Sequence, residues 1–157
     1  MPHHQLDNLV TVGQLKAESA SDQEIAALIG SGLARLHDAG NETLSIESRF
    51  DLAYNAAHAL SLAALRKAGY RAANRYIVFQ CLKHTADLPN EQWRILDQAH
   101  RKRNLAEYEG HLDIDTNLLT ALIRSTQIVA ERVQRKATGS VTETNDASKP
   151  KPRTDCS

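Results

Sequence analysis

The chain is poor in the residues that staple, span or punctuate a fold. It has two cysteines in 157 residues. Cys81 stands in an apolar run as a small core residue, and Cys156 is next to last in a polar stretch. No disulfide between them is expected, and nothing points to an oxidising compartment. The uncharged run from Ile77 to Leu82 is far too short to cross a bilayer. The opening Met1-Pro2-His3-His4 carries no apolar signal core. A cytoplasmic protein with no membrane association is the expectation. Formal net charge is zero, so overall charge identifies no partner. The histidines and acids show no tight metal-ligand spacing such as His-x-x-x-His. There is no Gly-rich phosphate cradle, and no Ser-His-Asp or Cys-His order. No metal and no cofactor are therefore expected. His3-His4 read as a loose terminus, and Asp113 and Asp115 as the loop and cap before a last helix.

What is present is helical periodicity nearly throughout. A hydrophobic content of 41% in this length suits one domain with a continuous core. Glycines and prolines lie mostly between periodic segments, and no convincing strand alternation is found. A short first helix is expected from about Leu6 to Ala17, weakened by Gly13. Ser21-Asp22-Gln23-Glu24 is a capping box that opens a second, through Ile25, Leu28, Ile29, Leu33 and Leu36 to Gly40-Asn41. Ser45 caps a third, roughly Ile46 to Lys67, whose many alanines allow close helix approach. Gly69 breaks it. A fourth is expected over Ala73 to Thr85 and, after Pro89, a fifth over about Glu91 to Glu109, with Gly110 as its C-cap. The last, about Thr116 to Lys136, has the cleanest apolar stripe: Leu119, Leu122, Ile123, Thr126, Val129 and Val133. The expected fold class is all-α, an up-and-down four- to five-helix bundle over 45–137. Residues 1–44 form a helical extension packed on it, and 138–157 a disordered tail poor in apolar residues.

Charge is unevenly spread. From Leu62 to Ala86 there are five basic residues and no acid, whereas Ser21 to Ser61 holds six acids against Arg35 and Arg49. Arg66, Lys67, Arg71 and Arg75, with Arg94, Arg101, Lys102 and Arg103, either gather at one bundle end as a phosphate-holding face or act as ordinary solubilising charge. Arg71 and Arg75, one turn apart, are the pair of interest.

The most informative stretch runs from His100 to Gly110. On a helical wheel, His100, Arg103, Asn104 and Glu107 fall within roughly 50° of the direction set by Trp93 and Leu96. A core-facing stripe thus turns polar over its last two turns. Two arrangements satisfy this. The stripe lines a cleft or subunit interface, where its polar groups are paired or wet. Alternatively the helix leaves the bundle at Ala99, with Arg103 and Glu107 as an exposed i, i+4 ion pair.

Three segments decide the weighting: Phe50-Asp51-Leu52-Ala53-Tyr54-Asn55-Ala56-Ala57-His58-Ala59-Leu60, the Gly69-Tyr70-Arg71 turn, and Arg103-Asn104-Leu105-Ala106-Glu107-Tyr108. In this order they resemble the HEPN superfamily (higher eukaryote and prokaryote nucleotide-binding domains), over about residues 45–136. The resemblance implies a four- to five-helix up-and-down bundle, commonly a homodimer. Many members are metal-independent ribonucleases of toxin–antitoxin, phage-defence or RNA-processing systems. Others bind nucleotides or RNA without cutting, or pair with a minimal nucleotidyltransferase. The family's catalytic pattern is Arg, a polar residue such as Asn, then His with four to six residues between it and the Arg. Arg103 and Asn104 match the first half. Tyr108, Glu109 and Gly110 stand where the histidine is expected, and His111 is one step too far. The Arg-x-x-x-Glu-Tyr form instead resembles a subgroup with an acidic-Tyr pair.

Metal-free RNA cleavage needs a proton carrier for the 2′-OH and positive charge for the phosphorane. An imidazole exchanges protons near neutral pH, a guanidinium holds phosphate bidentately, and a tyrosine near pKa 10 is a poor base. Tyr108 can still stack on a base or donate a hydrogen bond. Binding therefore survives the substitution better than catalysis. The expectation is an RNA- or nucleotide-binding homodimer. Arg103 and His100 are its catalytic candidates, with His100, one turn before Arg103, standing in for the missing imidazole. Asn104, Glu107, Tyr108, Arg71 and Arg75 are its binding candidates. His58 is expected as a satisfied interior or interface histidine, bonded across to the fifth helix. The alternative is a non-catalytic module pairing with a nucleotidyltransferase or an antitoxin-like partner.

Overall fold

A computed structural model of the chain describes residues 4–110 and 113–148, with side chains described as far as residue 135. In chain order its elements are α1 (His4–Thr11), β1 (Leu15–Ala17), α2 (Asp22–Ala39), α3 (Ile46–Lys67), β2 (Tyr70–Ala72), α4 (Arg75–Gln80), α5 (Leu82–Thr85), α6 (Asn90–Glu109) and α7 (Thr116–Ser148). The helices begin where short polar side chains satisfy orphan backbone donors. Ser21 Oγ accepts from Glu24 N, Ser45 Oγ from Ser48 N, Asn74 Oδ1 from Ile77 N and Asp115 Oδ1 from Leu118 N. Pro89 precedes α6, and Gly110, with φ near +81°, ends it in the left-handed conformation that glycine adopts without strain.

The fold is an all-α bundle, and its helix directions follow from the cross-contacts. Glu24 meets Arg66 at one end of the α2–α3 pair, and Ala39 O accepts from Arg49 Nε at the other, so the two run antiparallel. Asp51 lies against Arg103 and Tyr54 against His100, so α6 is antiparallel to α3 as well. α7 closes the bundle: Ser125 donates to Gln92 of α6, and its carbonyl at Val133 accepts from Lys67 of α3. The main core joins Phe50, Tyr54, Leu60, Leu82, Leu96, Leu119, Leu122 and Val129, all essentially fully buried. Each of the aliphatic side chains among them contributes about 1.5–3 kcal/mol by leaving water. Ala39 belongs to this cluster, and Leu28, Ile29, Leu33 and Leu36 pack against it. The core thus extends into α2, beyond the four helices after Ser45. Where α2 crosses α3, Gly32 faces Leu60 and Ala56 so closely that a side chain there would collide.

Several sequence expectations are corrected. β1 and β2 pair antiparallel, Leu15 with Ala72 and Ala17 with Tyr70, where the sequence pattern predicts no strand. Strands of three residues are too short to show alternation, and their pairing is set by contacts distant in sequence. Gly13 turns the chain out of α1 early, so the first helix stops at Thr11 instead of Ala17. The expected fourth helix is split at Cys81 into α4 and α5. Its apolar run is shared between two cores. Ile77, Val78 and Cys81 enter a second cluster with Leu6, Leu15, Leu65 and Tyr70, while Phe79 and Leu82 enter the main one. One straight helix cannot supply both directions. α7 continues to Ser148, past the expected boundary at Ala137, since extending a formed helix is far easier than nucleating one. The rest of the expected tail, and His111, lie outside the described residues. Among the described residues no helix is long and apolar enough to cross a membrane.

Candidate functional site

The polar turns of α6 face α3 and α4 around one buried ring, Tyr54. Its hydroxyl lies 3.0 Å from His100 Nδ1, and the amide nitrogen of Asn104 lies 3.1 Å from His100 Nε2. Both imidazole nitrogens are therefore engaged. Arg103 spans from α6 to α3, with Nη1 3.1 Å from Asp51 Oδ1 and the guanidinium carbon 5.0 Å from the Tyr54 ring centre. The Asp51 contact is an ion pair without an aligned hydrogen bond, and Nη1 is buried with no acceptor among the described residues. Arg75, at the start of α4, places its guanidinium 5.8 Å from the same ring centre and makes no ion pair among the described residues. Tyr76 and Phe79 bring their rings within 5.6 and 6.1 Å of the imidazole.

This environment sets the charge states. Burial pulls the His100 pKa below its usual value; Asp97 opposes this, while Arg75 and Arg101 reinforce it. Burial likewise brings His58 down to about 4, helped by Arg75 and His100. Both imidazoles are therefore neutral at pH 7. Burial raises the Tyr54 hydroxyl, and Arg75 beside it pulls the other way.

The candidates chosen from sequence divide into three groups. His100, Arg103, Asn104 and Arg75 come together around Tyr54. Glu107 and Tyr108 make no ion pair or ring contact there, although the charge of Glu107 acts on the Tyr54 hydroxyl; with Asn104 they line a shallow concavity of about 400 Å³ on the outside of α6. Tyr108 is 92% exposed. Arg71 is elsewhere: its Nε donates to Glu18 Oε2 at 2.8 Å, and Glu24 stands nearby. The basic residues do not gather at one bundle end. Arg66 is buried and donates to Glu24, to Glu18, and to the carbonyls of Glu18, Ser19 and Tyr70. Lys67 donates to the Val133 carbonyl, and Arg101 pairs with Asp97. Acids from the N-terminal segment neutralise that end. Arg103 also pairs with Asp51 and not with Glu107, so the exposed i, i+4 arrangement does not form.

His58 is corrected too. It meets Phe79 edge-on, ring centres 6.1 Å apart, and makes no hydrogen bond among the described residues. The bond across to α6 comes from Tyr54, one turn earlier and level with His100. Tyr54, Asp51 and Tyr76 are the site residues that sequence reasoning missed. The available signal was the placing of Asp51, Tyr54 and His58 at helical spacing along α3, which puts them on one face. Among the described residues no group of His, Cys, Asp and Glu could hold a metal ion. Chemically, the arrangement offers two cationic hydrogen-bond donors, a neutral imidazole and aromatic faces at a partly open surface. No family model, no curated protein and no solved structure matches this chain.

Proposed function

We propose that the chain is a HEPN-like RNA- or nucleotide-binding protein, working as a homodimer in the manner of a toxin–antitoxin or defence component. The observation that carries the reading is that Arg75 and Arg103, from different helices, both approach the Tyr54 ring beside His100 and Asn104, with Arg75 and Asn104 exposed to solvent. Guanidinium groups with unspent donors are suited to phosphate, and neighbouring aromatic rings to an unstacked base. Asp51 pairs with Arg103, and no carboxylate pairs with Arg75 among the described residues. Binding is favoured over cleavage. As a ribonuclease the site would use Arg103 to stabilise the phosphorane and His100 to take the 2′-OH proton. Both ring nitrogens of His100 are engaged, so Asn104, which is exposed, has first to swing away.

A second reading is favoured by a separate feature. Leu105 is 49% and Tyr108 92% exposed, one turn apart on the outer side of α6. That surface suits an interaction module pairing with a nucleotidyltransferase or antitoxin-like partner. The discriminating experiment incubates purified wild type and Arg103→Ala with end-labelled total RNA in EDTA, and scores filter retention and cleavage together. The expected result is intact RNA retained by wild type and much less by Arg103→Ala. Cleavage lost in Arg103→Ala would make the protein a metal-independent ribonuclease. No retention and no cleavage by folded wild type would overturn the RNA reading in favour of the interaction module.

A further inference from the structure

The site has an uneven charge inventory. Arg75 and Arg103 come from different helices and cover the same buried ring. Arg103 donates no aligned hydrogen bond among the described residues, and Arg75 has no ion-pair partner among them. His100, half-buried against the same ring, is faced by Tyr54 and His58 from α3 and by Arg75 and Tyr76 from α4. Asp97, Arg101, Arg103 and Asn104 flank it on α6. Asp97 already pairs with Arg101, at 3.0 Å. Arg75 and Arg101 work against a charge on the imidazole, and burial does so more strongly.

We propose that Arg75 and Arg103 clamp a phosphodiester of single-stranded RNA against the covered edge of Tyr54, and that His100 takes up a proton as the phosphate docks. The inference rests on the RNA-binding reading above and adds the ligand group, the second cation and the proton. An anion between the guanidinium groups cancels the repulsion that Arg75 exerts on the imidazole and replaces it with attraction. The protonated ring is also satisfied where it stands. Nδ1–H donates to the Tyr54 oxygen, and Nε2–H donates to Asn104 once that exposed amide turns its oxygen inward. A buried donor without an acceptor would forbid the charged form; here each has one. Single strands are favoured over duplex because Tyr76, half-buried beside His100, offers a stacking face that only an unpaired base can reach.

The test uses full-length protein and a fluorescein-labelled hexauridylate with a 5′-hydroxyl. All its phosphates are diesters, so the probe's own charge is constant over the pH range. Anisotropy is measured at fixed ionic strength from pH 5.5 to 8, above the window in which His58 titrates. The expected result is binding about fivefold or more tighter at pH 5.5 than at pH 7.5, within the tenfold per pH unit that one linked proton allows. His100→Gln, which keeps hydrogen-bonding groups but cannot titrate, flattens this dependence. Arg75→Ala weakens binding about tenfold, as expected for a charge-assisted bond, whereas Arg94→Ala, an equal charge change on exposed α6 surface, does so far less. Thermal melts confirm that each variant is folded. Binding that is independent of pH, or untouched in Arg75→Ala, would overturn the clamp while leaving RNA binding in place. No binding of the probe at any pH would overturn both.

Discussion

Acidification should destabilise this fold through His58 before the bulk of the carboxylates respond. The ring is held neutral, with a pKa of about 4 against the usual 6.5, by burial beside Phe79 and by the charge of Arg75. The folded state therefore binds the proton less readily than the unfolded chain. Stability is complete above about pH 6.5, declines as pH falls, and levels off below about pH 4. At 1.36 kcal/mol per pKa unit the ceiling is about 3 kcal/mol. The part of the ring that meets solvent reduces this to about 2 kcal/mol. For a chain of this size that is a fall of roughly 4–8 °C in Tm. The assay is urea unfolding of wild type and His58→Leu at half-unit steps from pH 7.5 to 4. The difference between the two curves removes the other titrating groups, and it should move against wild type by about 2 kcal/mol as pH falls. A constant difference, or an NMR titration placing His58 at 6.5 or above, would refute the reasoning.

Two glycines in α2 should answer the same substitution with opposite signs. A Cβ at Gly30 meets nothing within 4 Å, so Gly30→Ala should stabilise by about 0.5–1 kcal/mol in chemical denaturation. A Cβ at Gly32 would sit 2.6 Å from Leu60 Cγ, a fully buried side chain, so overpacking should exceed the helix gain and Gly32→Ala should destabilise by about 1 kcal/mol. Arg66→Met should cost about 3 kcal/mol, because it removes the buried donor to the carbonyls of Glu18, Ser19 and Tyr70, while Arg71 still pairs with Glu18. Amide exchange in that variant should show β1 and β2 opening first.

The bundle was legible in the sequence because its signals are local. Ser21, Ser45 and Gly110 mark helix ends through their own backbone bonds, and the Leu119–Val133 stripe repeats within a single helix. What the sequence hid is what depends on distant partners. β1 exists because Gly13 releases the chain towards a segment more than fifty residues on. α4 breaks at Cys81 because two cores compete for one apolar run. The same division runs through the site. His100, Arg103 and Asn104 share a helix face, so their proximity follows from spacing alone. Arg71 and Arg75 look equivalent, yet Glu18 captures the first while Tyr54 receives the second. No pattern within that segment distinguishes them, since the deciding carboxylate comes from the other side of the fold.

Tyr54 links these observations. Its hydroxyl joins α3 to His100, and its ring is the surface on which cations from α4 and α6 meet. Asp51 pairs with Arg103 alone, and Arg75 has no ion-pair partner among the described residues, so an anion that reaches both gains two charge-assisted contacts.

The most direct measurement is the salt dependence of single-stranded RNA binding by wild type and by the Arg75→Ala/Arg103→Ala double variant. The account predicts that wild type binds at about 50 mM salt and that log K falls linearly with log salt, by about 0.7 for each phosphate neutralised. The double variant should lose most of the affinity and flatten that slope by about 0.7 or more. Equal affinity and equal slope in the two proteins, with both folded, would contradict the claim that these arginines form the site.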